Sequence, residues 1–172
     1  MFDFNNCEFS QKSIDATASA YARGSRTGAI FGARQVTINL NGGKYVSDNG
    51  YCTLGTFISG AIINVNGAEA VSKSSTNNEI GPAFRNETGY GSVSTFNIDN
   101  AIVYQQTGNV LEWSHQGGDI AQPAAIWTIN GGDFSNRFSY SGNSGNKSLT
   151  INGGIYNIDV SAYLGTGKAC VQ

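Results

Sequence analysis

Charge is scarce in this chain. Asp, Glu, Lys and Arg make up 13% of its 172 residues, about half of the roughly 25% usual in soluble domains. The ten basic residues are scattered and the net charge is −2, so no basic stripe exists to neutralise a run of phosphates, and nucleic acid is excluded as a partner. A single histidine, His115, cannot supply a His-rich metal site, and neither a metal nor a cofactor is expected. Three cysteines, Cys7, Cys52 and Cys170, stand at irregular spacing with no CxxC among them. An odd, unpatterned set excludes a disulfide framework and reads as small buried residues. Long apolar runs are missing too. None approaches the roughly 18 to 20 residues of a membrane span, which excludes helical membrane insertion. The opening "MFDFNNCEFS" has neither the basic start nor the apolar core of a signal peptide.

What the chain has is glycine (23 residues) with Asn, Ser and Thr, and 40% apolar content. That is enough for one continuous core, so residues 1–172 read as a single domain. Low charge with abundant small polar residues suits turn-rich β structure in an extracellular or cell-surface setting.

One phrase recurs six times, and repeats decide architecture before anything else. Its clearest copies are "WTINGGDF" at 127–134 and "LTINGGIY" at 149–156. Aligned on the residue that ends each strand, the anchors are Asn5, Asn41, Asn66, Asp99, Asn130 and Asn152. Two apolar positions before each anchor flank one polar position, the period-two alternation of a strand with one buried face. The polar column is Asp3, Asn39, Asn64, Asn97, Thr128 and Thr150. After the anchor come small or turn-forming residues, and four positions beyond it an apolar side chain returns to the core: Phe9, Tyr45, Ala70, Val103, Phe134, Tyr156.

Anchor spacings of 36, 25, 33, 31 and 22 residues describe coils of similar section with elastic loops. A second column, Ile30, Phe57, Phe84, Leu111 and Phe138, runs at intervals of 27, with Leu164 26 further on. A chain that returns the same strand every 25 or so residues, with no segment suited to a crossover helix, stacks that strand on its predecessor. The fold expected is all-β: a single parallel β-helix, or β-solenoid, of about six coils. The anchor column then forms a structural ladder of side-chain amides from rung to rung.

These residues carry a family resemblance. The pattern is similar to right-handed parallel β-helices of the pectin-lyase-like kind, where an Asn in left-handed conformation commonly marks a tight corner, as in "FNNCEF". It most resembles the I-N-G-G-x-[FY] repeats of large secreted or surface-attached bacterial proteins. The resemblance implies a right-handed coil and brings polysaccharide lyases and glycosidases into consideration. The polygalacturonase-like strings "NTD", an adjacent Asp pair, "GHG" and "RxK" do not occur, so no inherited catalytic residue is assigned.

Outside the family pattern, a glycosidase needs two carboxylates roughly 5 to 10 Å apart. The column three past the anchor offers only Glu8, Glu69 and Asp133, separated by whole coils. The densest polar and aromatic stretch is "LEWSHQGGDIAQP" at 111–123, read as a long loop, where function concentrates. Glu112, Trp113, His115 and Asp119, with Tyr140 27 residues beyond Trp113, are the candidate glycan contacts. Trp113 and Tyr140 are expected to stack on adjacent rungs, as core or as a sugar platform; Tyr51, Tyr90 and Tyr104 are expected in loops. Asn86 and Asn146 fit the N-glycosylation pattern.

Solenoids need capped ends. Both ends read as open, with residues 12–24 as a short helix or loop near the first. The chain therefore reads as a segment of a longer solenoid or an assembly subunit, self-associating through its ends. The expected function is a non-catalytic structural or adhesive module of an extracellular assembly, such as a surface protein, filament subunit or phage fibre. A carbohydrate-binding or polysaccharide-degrading β-helix is the alternative.

Overall fold

The computed structural model describes residues 1–12, 29–33, 35–57, 60–74, 81–88, 93–115, 125–142 and 147–169. The segment expected as a helix or loop at 12–24 falls, beyond Lys12, outside them, as do Tyr90, Asp119, Asn146 and Cys170.

The chain lays down its strands in threes. The first rung is β1 (Phe2–Asn5), β2 (Glu8–Lys12) and β3 (Ile30–Ala33), and the second is β4 (Thr37–Asn41), β5 (Lys44–Asp48) and β6 (Leu54–Phe57). The third is β7 (Ile62–Asn66), β8 (Glu69–Lys73) and β9 (Phe84–Thr88), and the fourth is β10 (Ser94–Asp99), β11 (Ala101–Gln105) and β12 (Leu111–His115). The fifth is β13 (Ala125–Ile129), β14 (Gly132–Phe134) and β15 (Tyr140–Gly142), and β16 (Lys147–Ile151) with β17 (Ile155–Tyr156) begins the sixth. Each strand pairs with its counterparts in the neighbouring rungs. Sheet 1 runs β1-β4-β7-β10-β13-β16, sheet 2 runs β2-β5-β8-β11-β14-β17, and sheet 3 runs β3-β6-β9-β12-β15. Every pairing is parallel. The protein is thus nearly all β, built of parallel sheets compatible with a solenoid.

Period-two alternation decides which side chains enter the core. In sheet 1, Ile38, Ile63, Phe96 and Trp127 lie in one register column and Leu40, Val65, Ile98, Ile129 and Ile151 in the next, and all are buried. Aromatics stack between rungs where columns bring them together: Phe96 on Trp127 at 4.9 Å, Phe134 on Tyr156 at 5.2 Å, and Phe9 on Tyr45 at 5.9 Å. Such offset stacks add to the burial term at each step of the pile.

The corner between sheets 1 and 2 explains the repeated phrase. The anchor stays in strand geometry, and the residue after it takes the left-handed conformation: Asn6 (φ 51°), Gly42 (69°), Gly67 (66°) and Asn100 (54°). The resemblance attaches left-handed Asn to the corner, and here it is the residue following the ladder position. In the fifth rung the bend falls at Gly132 (φ 132°), where a Cβ would stand 2.5 Å from the carbonyl oxygen of Ala101. Glycine is required there twice over, for its φ and for the close approach of the rung beneath.

Three expectations are corrected. First, the 27-residue interval does not set the register of sheet 3, whose column is Ile30, Leu54, Phe84, Leu111 and Tyr140. Phe57 pairs with Ala33, and Phe138 packs edge-on against Phe134 and Tyr156. Equal spacing arose from loops of compensating length. Second, Trp113 pairs with Gly142 and Tyr140 with Leu111, so the two aromatics do not stack. Third, the C-terminal end is partly covered. A 3-10 turn at Ser161–Tyr163 sets Tyr163 edge-on against Tyr140, Leu164 pairs with Ile151, and Val160 is buried. By contrast Phe2, in a core column, is 56% exposed at the other end.

Burial at this covered end has a pH consequence. The hydroxyls of Tyr140 and Tyr156 are pushed well above the usual tyrosine range, chiefly by desolvation, with Tyr163 adding to the rise at Tyr140. Unfolded tyrosines ionise near about 10. A raised folded value means the stabilisation is fully present below that pH and is lost as pH rises beyond it. Thermal midpoints by circular dichroism are expected to hold level up to about pH 9 and fall above about pH 10. A midpoint unchanged to about pH 11 would contradict this.

Candidate functional site

Two polar ladders run up sheet 1. In the anchor column, Asn41 Nδ2 donates to Asn5 Oδ1 at 3.0 Å and Asn152 Nδ2 to Asn130 Oδ1 at 2.8 Å. Asn66 and Asp99 sit in register between them. The more continuous ladder is one residue pair earlier, in the outward polar column. Asn97 donates to Asn64 at 2.8 Å, Asn64 to Asn39 at 2.7 Å and Asn39 to Asp3 at 2.6 Å. Sequence reasoning named this column as polar and overlooked its bonding. The signal was there, since Asp-Asn-Asn-Asn at matching strand positions can chain amide to carbonyl only if the strands are in register.

Among the described residues the densest charged site lies on the outer face of sheet 3, and it was missed as a group. Alternation in β9 turns Phe84 and Asn86 to one face and Arg85 and Glu87 to the other. Register places Arg85 beside Glu112 of β12. Arg85 Nη1 bonds Glu112 Oε1, Arg85 Nε lies 3.5 Å from Glu87 Oε2, and the Tyr51 hydroxyl donates to the same Glu87 oxygen at 2.7 Å. The guanidinium carbon sits 4.0 Å from the centre of the Tyr51 ring, a cation-π contact. Arg85, Glu87 and Tyr51 are all buried, Glu87 completely.

Tyr51 reaches this position because the chain turns at Asn49 (φ 60°) and because Gly81 lets the two segments touch. A Cβ on Gly81 would collide with the Tyr51 carbonyl, and the Gly81 N–H donates to Gly50 O at 3.3 Å. Cys52, next to Tyr51, is fully buried, and desolvation pushes its thiol far up. Arg85 opposes that rise and the two glutamates add to it. The group remains a thiol and a poor nucleophile.

The glycan candidates fare differently from one another. Glu112 is partly exposed, but Arg85 holds one of its oxygens and Asn109 approaches the other at 3.5 Å. Trp113 is buried with Ala125 as a small satellite core and presents no platform. Tyr140 is half-buried, edge-on to Trp127 at 6.3 Å. His115 ends β12, a strand where a loop was expected from 111 onward. Asp119 lies outside the described residues. Glu8 and Glu69 share a column with Lys44 between them, and Asp133 follows beyond Ile102; whole rungs separate these acids. The chain matches no family model, no curated protein and no solved structure. Its chemistry has to be read from its own residues.

One glycosylation pattern proves to lie in the core, and one loop expectation is corrected. Asn86 is fully buried and its amide donates to Ser94 O at 3.0 Å, so it offers no acceptor for a glycan. Tyr104, expected in a loop, lies in β11 and is 43% exposed on the outer face of sheet 2 beside exposed Ile102. Tyr51 does lie in the loop between β5 and β6, where it is buried beneath the Arg85 contact.

What the Arg85 cluster does chemically follows from access. A retaining or inverting glycosidase brings both carboxylates to the scissile bond, whereas Glu87 has no exposed surface and both glutamates are engaged with one guanidinium. The arrangement clasps the Tyr51 corner to the sheet.

Proposed function

We propose that this chain is a single right-handed β-helix of about six coils, of the pectin-lyase-like kind, serving as a non-catalytic structural or adhesive module of an extracellular assembly. The observation that carries the reading is the direction in which the polar groups are spent: amides on ladders between rungs, and the glutamates of sheet 3 on Arg85. Strands with parallel register in three sheets, visited in turn, support the coil. The test is a panel of polysaccharides assayed for reducing ends and unsaturated products. No release from any is expected; turnover that disappears in Glu112→Ala would overturn the reading.

A carbohydrate-binding role is a second reading, favoured by the exposed pair Tyr104 and Ile102 on the open face of sheet 2, with Glu69 and Asp133 in the adjoining register positions. An aromatic ring with flanking acceptors suits a sugar face. Glycan binding by the intact chain, lost in Tyr104→Ala, would establish it in place of the first.

A further inference from the structure

An asparagine followed by glycine is prone to lose ammonia unaided, because glycine sets no side chain in the way of the ring through which the reaction runs. The pair occurs at Asn41, Asn49, Asn66, Asn130 and Asn152. Asn49 is fully buried. Asn41, Asn66 and Asn130 stand in the anchor column, each at the end of a strand paired on both sides. Their backbones differ. The Gly42 N–H donates to Asn66 O at 2.7 Å and the Gly67 N–H to Asp99 O at 2.8 Å, each to the anchor of the next rung. In the fifth rung the positive φ moves from the residue after the anchor to Gly132, and the Gly131 N–H meets no acceptor among the described residues. The side chains differ too. Asn41 Nδ2 is tied to Asn5, whereas Asn130 joins its ladder only through Oδ1, as acceptor from Asn152. Exposure does not separate the sites, since Asn66 and Asn130 are both exposed.

We propose that Asn130 is a site of self-modification, deamidating through a succinimide in the folded protein, while Asn41 and Asn66 are kept intact by the bond on the following N–H. The Gly131 nitrogen attacks Asn130 Cγ and forms an N–Cγ bond. The Cγ–Nδ2 bond breaks, and ammonia departs with the proton that the backbone nitrogen gives up. Water then opens the ring. Addition at Cγ gives aspartate, and addition at the main-chain carbonyl carbon of residue 130 gives isoaspartate, so one water enters and one ammonia leaves. At Asn41 and Asn66 the same attack must first break a hydrogen bond between rungs, a local opening that lowers the reactive fraction. Either product disturbs the pile. Aspartate adds a second carboxylate next after Asp99 in the anchor column. Isoaspartate lengthens the backbone by a methylene two residues before Gly132, where even a Cβ would stand 2.5 Å from Ala101 O.

The test is peptide mapping by mass spectrometry of the chain incubated at mildly alkaline pH, once native and once in urea. In the native chain, modification at Asn130 is expected to run about tenfold ahead of Asn41 and Asn66, the factor for one hydrogen bond that must be broken first. In urea the lead should vanish. Asn41 is the sharpest control, since Leu40-Asn41-Gly42-Gly43 and Ile129-Asn130-Gly131-Gly132 are nearly the same peptide. Equal native rates at Asn130 and Asn41, or no native reaction at Asn130, overturn the proposal. A lead that persists in urea overturns it as well, because local sequence and not the corner would then carry the difference. Asn130→Ser, which cannot form the ring, should keep its thermal midpoint on storage while the unsubstituted chain loses part of its own; a parallel fall in both overturns the proposed damage to the pile.

Discussion

Arg85→Ala is expected to cost about 3–5 kcal/mol, the range for removing one partner of a buried ion pair. The guanidinium is 3% exposed, serves Glu87 and Glu112 together, and supports the Tyr51 ring. Its loss leaves Glu87 buried with the Tyr51 hydroxyl but without its cation. In a chain of this size the thermal midpoint should drop by roughly 10 °C. Glu112→Gln, at a site 19% exposed, should cost less than Arg85→Ala. Chemical denaturation checks both statements; a loss for Arg85→Ala no larger than that for Glu112→Gln would show that the guanidinium does not hold the buried side of the cluster.

Trp127→Ala is expected to destabilise by about 3–5 kcal/mol through loss of transfer energy and the cavity left behind. Trp127 is fully buried, stacked on Phe96 at 4.9 Å with 13° between ring planes, and edge-on to Tyr140. It joins the fourth rung to the fifth, and neighbouring rungs are the only partners a stacked strand has. Trp127→Phe keeps an aromatic in the column and removes an indole N–H that has no partner among the described residues. Its cost should be no more than about 1.5 kcal/mol, as for core replacements that keep shape. Urea midpoints followed by circular dichroism separate the two variants. Similar losses for both would mean that the indole contributes by something other than filling the column.

Much of the stacking was legible because strand alternation and corner residues are local. Ile38, Ile63, Phe96 and Trp127 could be aligned from the phrase alone, and the structure pairs them in one column. Sheet 3 was harder, since its strands lack the anchor phrase and the interval of 27 residues mimicked a register. The connections before β6 and β15 have five residues and that before β9 has ten, and hydrogen bonding chose Leu54 and Tyr140 over Phe57 and Phe138. The Arg85 cluster was illegible for a related reason. Its members come from a corner at Tyr51 and from two strands 25 or more residues apart in sequence, and none belongs to a motif.

By itself, the sequence determined that this chain repeats a strand and a corner, because apolar alternation, an amide at the strand end and turn-forming residues after it are properties of neighbouring residues. Tertiary structure alone decided which face Arg85, Glu112 and Trp113 occupy, where the outward ladder runs, and which end of the stack is covered. Those outcomes depend on the register between rungs and on the path of unequal loops, and both are set by pairing across tens of residues.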